Sequence, residues 1–486
     1  MAANFSAVRI LTLCLAALLA LPGCGGCTKT ELPDSEQSLK NRMDAALKEK
    51  EKPKPDFDPI KLTIVPQKTD EKNIARRLVK PGHWTAVVEE TKANNFDFTG
   101  QLFAEARTNA AGPAIDLPHM PYRLAVMRPA PLAKGQAKSL ELLFYVPPDS
   151  TKAWLATELR NRGGSVAATP GPEPLTLMKA HQYHLVVLAP QPYRYRLLER
   201  LDSVRGPHAS NVSDIESGLH YYQVIAPPLE KPLPLPTNAL AWTSIAYLVW
   251  DDVDPTLLSP EQQQALIDWL HWGGQLIISG PKSLDQLRDK AFLGSYLPAV
   301  PGEPLSITTE MLGPMNHEWT LPIKGEPGKP LALVSPWSGV TLIPQADANV
   351  LVDAGGAEKE PLVVERRVGR GRIIATAFRL TQRELWNWPS FDGFLNACLL
   401  RRPPREFSAA DYSAGLNADW VDQPWRYRDP LLVTGVRYFS RDWNADTGFG
   451  APPKPPPNIP SEDDPNSAAS GQIWNNLNWR NRVAGA

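Results

Sequence analysis

"LIDWLHWGGQLIISGPKSL" spans Leu266–Leu284 and carries the most specific local signals in the chain. Ala265, Leu266, Trp269, Leu270 and Trp272 recur at helical spacing, which predicts an amphipathic helix. Ser259, Pro260 and Gln262 stand at its N-cap, N1 and N3 positions. That is a capping box with proline where it is best tolerated. Gly273-Gly274 stop the helix, the first in the left-handed conformation that glycine adopts cheaply. "QLIIS" then reads as a short buried strand, and Ser279-Gly280-Pro281 as a sharp corner. Enzymes that place a nucleophile on a strand-to-turn elbow use this layout. Ser279 is therefore the first candidate for chemistry.

Outward from this stretch, strands and helices alternate. "LELLFYVP", "SVAAT", "HLVVLAP", "YYQVIAP" and "SIAYLVW" are strand candidates. "DSTKAWLATELRNRGG", capped by Asp149 or Ser150, and "PYRYRLLERL" are helix candidates. Beyond Leu297 come "PLALV", "VTLIP", "NVLVDA" and a hairpin, "PLVVERRVGRGRIIATAF", turning at Gly369-Arg370-Gly371. Residues 139–403 are thereby expected to form an α/β domain, a mostly parallel sheet with covering helices. Residues 61–138 ("KLTIVP", "HWTAVVEE", "FDFTGQLFAEA", "YRLAVMR") alternate at short intervals and predict a small β-sandwich.

The two ends differ in character. "ILTLCLAALLAL" (Ile10–Leu21) after Arg9 reads as a signal-peptide core over residues 1–24. "LPGC" at 21–24 resembles a bacterial lipobox, which would make Cys24 the lipidated residue. Residues 25–60 are polar and proline-ended, a tether. Residues 404–486 include "GAPPKPPPNIPSEDDPNSAASG", a Pro/Asn-rich tail whose composition predicts disorder. The chain has 486 residues, 50 prolines and a formal net charge of −1. Near-neutral charge gives no field that would favour nucleic acid. Proline at about twice its usual share of roughly 5% argues against an all-helical fold. Of four cysteines, only Cys398 lies in the body of the chain, on the apolar face of "FLNACLLRR". It reads as a buried, inert thiol.

"SIAYLVWDDVDPTLLSPEQQQALIDWLHWGGQLIISGPKSL" (244–284), with "YLPAVPG" and "PLVVERRVGRGRIIATAF", resembles the class I glutamine amidotransferase-like superfamily. More narrowly, it is similar to the amidotransferase-like domains of bacterial envelope proteins. The resemblance covers roughly residues 139–402 and implies a flavodoxin-like core. It also implies a Cys on the elbow after a strand and a His-x-Glu pair downstream. Here the elbow carries Ser279, and the downstream histidine is His317 with Glu318 adjacent. The activity of the superfamily is not expected to carry over.

Each remaining candidate has a plainer reading beside the functional one. Asp251, Asp252 and Asp254 ("DDVD") follow an apolar strand, where ligands bind in open sheets. They could hold a cation or simply line a solvated loop. Glu365–Arg372 places four arginines around a hairpin turn, either solvated charge or a site for an anion. His271 suits a helix C-terminus. His181 and His184 lack a third metal ligand. No cofactor and no metal site is expected. The expected function is a non-catalytic, exported cell-envelope protein, anchored through its N-terminus and acting with envelope partners in binding or assembly. A hydrolase using Ser279, and a sensor of a small ligand, are the alternatives.

Overall fold

A computed structural model describes residues 54–69, 75–118, 120–179, 182–205, 221–289, 292–320, 328–356, 359–402, 405–409 and 416–420. From Asp56 onward these belong to one unit. Cys24, the signal, most of the tether, His181 and nearly all of the tail lie outside the described residues.

The first half is an antiparallel sandwich. One sheet places Trp84–Lys92 between Lys61–Val65 and Ala137–Tyr145. The other places Phe98–Arg107 between Ala125–Leu132 and Trp154–Asn161. Val166–Ala168 and Glu173–Pro174 extend it. Ile64, Val87, Leu102, Leu140, Phe144 and Leu159 fill the space between the sheets.

Two expectations are corrected here. "DSTKAWLATELRNRGG" is not a helix; its centre is the strand Trp154–Asn161. Its apolar residues Leu155 and Leu159 face the sandwich core at strand spacing, and their four-residue separation fits both periods. "LELLFYVP" is not a parallel strand. It pairs antiparallel with Trp84–Lys92. Apart from Glu141 the run is apolar, and both faces find partners: Leu140, Leu142 and Phe144 face the sandwich core, while Leu143 packs with Ala241 of the second half.

The second half is built on a seven-stranded sheet. Its order is Tyr222–Ile225, Tyr183–Leu188, Ile245–Asp251, Gln275–Ser279, Gly371–Thr376, Pro361–Val368, Ala348–Asp353. The first five strands run parallel, and Pro361–Val368 runs antiparallel to both of its neighbours. Ile245–Asp251 and Gly371–Thr376 are buried along their whole length, as expected of strands covered on both faces. Among the five parallel strands the order reverses at one place. From Tyr183–Leu188 the chain goes to one neighbour, Tyr222–Ile225, then crosses to the other, Ile245–Asp251.

The expected flavodoxin-like α/β class does not describe this molecule. Among the described residues, strand makes up 40% and helix 20%, and the sheets are mostly antiparallel. Among the described residues, parallel pairing is confined to this one sheet and a two-residue pairing of Thr176–Leu177 with Leu78–Val79. Covering helices are also sparse among the described residues. The segment after Tyr183–Leu188 is a 3-10 helix, Pro192–Arg200, and the proline-rich segment before Ile245–Asp251 contains only the 3-10 turn Ala239–Trp242.

The helix Pro260–His271 and its surroundings explain why this region is well defined. The Ser259 hydroxyl accepts from the Gln262 amide, and the Gln262 side chain accepts from the Ser259 amide. Gln262 also donates through Nε2 to the carbonyls of Leu233 and Leu235, at 2.6 and 2.7 Å. This fastens an irregular proline-rich strap to the helix start. Glutamate usually serves equally well at N3, but here a carboxylate would face two carbonyls while buried. Gln262→Glu should therefore cost about 2 kcal/mol or more, read as a drop in the urea midpoint. Wild-type stability in that variant would mean that the strap bonds contribute nothing.

The helix stop and the hairpin interlock. Gly273 has φ +117°. The Arg370 amide donates to the His271 carbonyl at 2.8 Å, and the Arg372 amide donates to the Gly274 carbonyl at 3.1 Å. A Cβ on Gly371 would lie 2.2 Å from the backbone oxygens of both Leu270 and Gly274. The two stretches that carry the sequence resemblance are thus a single packed feature.

Candidate functional site

The carboxyl end of the parallel sheet brings Asp251 and Ser279 together. They are register partners at the ends of adjacent strands. After Asp251 the chain turns through Asp252, which has φ +52°, a costly conformation for a residue other than glycine. Neighbours hold it there. The Asp252 amide donates to Ser283 Oγ at 2.8 Å, and Ser283 Oγ donates to the Ser279 carbonyl at 2.7 Å. The Asp252 carboxylate pairs with Arg379. After Ser279, Gly280 takes φ +83° and leads into the helix Pro281–Asp289.

Tyr195 closes the site from the other side of the strand-order reversal. It projects from the 3-10 helix Pro192–Arg200 and is buried. Its Oη donates to Asp251 Oδ2 at 2.9 Å and lies 3.3 Å from Ser279 Oγ. The Leu380 amide donates to the same Ser279 oxygen at 3.0 Å. Ser279 is wholly buried, so its hydroxyl is a knot joining three segments rather than an exposed nucleophile. Burial pushes the Asp251 carboxyl above the usual carboxylate range, against the lowering effects of Tyr195 and Arg379. Burial, reinforced by the Asp251 charge, pushes the Tyr195 phenol well above its ordinary value. Asp251 Oδ1 and Asp252 Oδ1 are buried without a hydrogen-bond partner among the described residues.

Other candidates are dispersed. His317 is exposed on the helix Gly313–Trp319, which packs by the edge strand Ala348–Asp353. That strand is three places from the Ser279 strand, about 14 Å at the usual strand spacing. His317 is thus no base for Ser279. Asp254 caps the 3-10 turn Pro255–Leu257 by accepting from the Thr256 amide at 2.9 Å. It does not join Asp251 and Asp252, and no group of three metal-ligating side chains occurs among the described residues. Burial raises the Cys398 thiol far above its ordinary value. The ring of His271 stacks edge-on to Tyr296, and His184 is buried.

The arginine hairpin is tied to the protein itself. Buried Arg372 bonds Glu365 at 3.1 Å, and Arg401 pairs with the same carboxylate. Arg366 pairs with Asp347 and donates to the carbonyls of Ser295 and Leu297.

Beside the Asp251–Tyr195–Ser279 knot lies an open cleft of about 500 Å³. Arg194 and Leu197 of the 3-10 helix line it together with Thr381, Gln382, Arg383, Glu384, Trp386 and Asn387. Sequence reading missed Tyr195, Arg379 and this cleft. The available signal was positional: "PYRYRLLER" and "FRLTQRELWN" each follow a parallel strand, where polar side chains converge at the sheet's carboxyl edge.

Comparison with known proteins adds little. No family model matches the chain, and no curated protein matches it. Among solved structures, similarity is found to a Niemann-Pick type C2 protein from the Japanese carpenter ant, at 12% identity and TM-score 0.18. That match covers 25% of this chain and 90% of the other. Spo0M, a sporulation control protein from Bacillus subtilis, matches at 14% identity and TM-score 0.16, covering 26% of this chain and 51% of the other. Bacteroides uniformis beta-glucuronidase 2 matches at 10% identity and TM-score 0.15, covering 50% and 31%. Similarities this slight carry no argument about function. Among the described residues, no helix is long and apolar enough to cross a membrane.

Proposed function

We propose that this protein is a non-catalytic cell-envelope protein, held at a membrane surface through lipidated Cys24, whose second half is an amidotransferase-like binding domain. One observation carries the non-catalytic part. Ser279 sits at the elbow where an active relative would place its nucleophile. Its oxygen is instead engaged by the Leu380 amide and the Tyr195 phenol, in a fully buried position. A serine nucleophile needs an open approach and a base within hydrogen-bond reach. His317 supplies no base, and Asp251 is occupied by Tyr195. The arrangement supports a shape-holding role for all three side chains.

The test is one fractionation experiment with two readouts. Cells expressing the full chain are separated into membrane and soluble fractions, then exposed to a fluorophosphonate serine probe. The protein should remain in the membrane fraction and unlabelled, while Cys24→Ser should shift it to the soluble fraction. Labelling lost in Ser279→Ala would overturn the non-catalytic reading. Unchanged partitioning of Cys24→Ser would overturn the anchor.

A further inference from the structure

We infer that the cleft beside Tyr195 binds a small organic anion, with Arg194 and Arg383 gripping its carboxylate or phosphate group and Trp386 meeting its less polar body. The inference rests on reading this half of the protein as a binding domain, and it adds the site and the ligand chemistry.

Position is the first support. The cleft begins at Arg194, just after the strand Tyr183–Leu188, and lies against Tyr195, which bonds to the end of Ile245–Asp251. Those are the two strands between which the order reverses. A reversal leaves a crevice at the carboxyl edge, because the connections on either side depart in opposite directions. Size is the second. About 500 Å³ falls within the range of roughly 300–1,000 Å³ typical of small-molecule sites.

Charge is the third, and it selects the ligand class. Three arginines stand near this edge, but they are not equivalent. Arg379 is neutralised by Asp252. Arg194 and Arg383 are exposed, both line the cleft, and neither makes an ion pair among the described residues, although the Arg194 charge also acts on the Asp251 carboxyl. The cleft's one acidic side chain is Glu384, whose Oε2 accepts from Trp337 Nε1 at 3.3 Å. One of its oxygens is thus already committed to the protein. Two arginine forks lining one open cleft favour an oxyanion that can take bidentate bonds. Trp386 supplies the remaining feature. It is only partly buried, and its ring is braced by Tyr195 and Phe391. A braced indole lining the cleft suits a ligand that carries an apolar or ring face beside its charged group. Sugar acids and sugar phosphates have that combination.

The experiment is calorimetric titration of the full chain with three probes: glucuronate, glucose 6-phosphate and inorganic phosphate. The organic anions are expected to bind and to change tryptophan fluorescence, with affinity falling as salt rises. The double variant Arg194→Gln/Arg383→Gln should weaken binding at least tenfold. Both side chains are exposed, so the variant should fold, and Arg123→Gln in the sandwich serves as the charge control. Absence of binding by both organic probes at millimolar concentration would overturn the proposal. So would equal binding by wild type and the double variant, or an equal loss in Arg123→Gln. Equal affinity for inorganic phosphate and glucose 6-phosphate would overturn the role given to Trp386. None of these outcomes bears on probe labelling of Ser279, so the two readings fail separately.

Discussion

Glu89→Gln should stabilise the protein by about 3 kcal/mol at pH 8 and change little at pH 4. Glu89 lies in Trp84–Lys92 on the same face as Val87, which belongs to the sandwich core, and it is 0% exposed. Neither carboxyl oxygen makes a hydrogen bond of ordinary geometry among the described residues, and the nearby Thr157 hydroxyl offsets the burial only in part. Burial raises the carboxyl from 4.5 to about 7. The sign follows from proton binding. Between those two values the folded protein holds a proton that the unfolded chain has released, so stability falls as pH rises through that window. Above about pH 7 the loss is complete. A shift of this size, at 1.36 kcal/mol per unit, corresponds to about 3 kcal/mol. Glutamine keeps the shape and cannot ionise. Denaturant unfolding of both proteins at pH 4, 6 and 8 would show the gap opening. Parallel stability curves would mean that water or another partner satisfies the Glu89 carboxylate.

Gly371→Ala should cost about 3 kcal/mol, towards the upper end of what overpacking usually costs. The added methyl would meet two backbone oxygens, of Leu270 and Gly274, at 2.2 Å each. Neither can swing away as a side chain would. One ends the helix Pro260–His271, and the other is already bonded to the Arg372 amide. Gly135→Ala provides the comparison. Gly135 has φ +76° but nothing within 4 Å of the added Cβ, so only backbone strain of about 1 kcal/mol is expected. A Gly371→Ala variant as stable as Gly135→Ala would show that the hairpin can lift from the helix stop at no cost.

Legibility followed the range of the determining interactions. The helix Pro260–His271, its capping box, the Gly273 stop and the hairpin at Gly369 are specified by residues within a few positions of one another. Each could be read directly from the chain. Trp154–Asn161 could not, since Leu155 and Leu159 satisfy helical and strand spacing alike. Its state is set by pairing with Phe98–Arg107, some fifty residues away. The same ambiguity led to the wrong fold class. A chain of apolar runs and turns does not announce which pairings will be antiparallel. At the site, Asp251 and Ser279 were visible because each ends an apolar strand. Tyr195 was hidden because nothing local marks a tyrosine in a 3-10 turn as the partner of residues 56 and 84 positions away. Separation in sequence likewise concealed that His317 lies by the wrong edge of the sheet.

The proline-rich strap before Ile245–Asp251 has a consequence for how the chain meets proteases. Prolines restrict the unfolded segment, so little conformational freedom is lost when it docks. Its carbonyls at Leu233 and Leu235 are then held by a single buried side chain, Gln262. A cleaving enzyme must first draw several residues of irregular backbone away from the surface. Here that requires breaking the cap of the longest helix among the described residues. A segment without regular secondary structure is in this way as resistant to local opening as the helix that holds it.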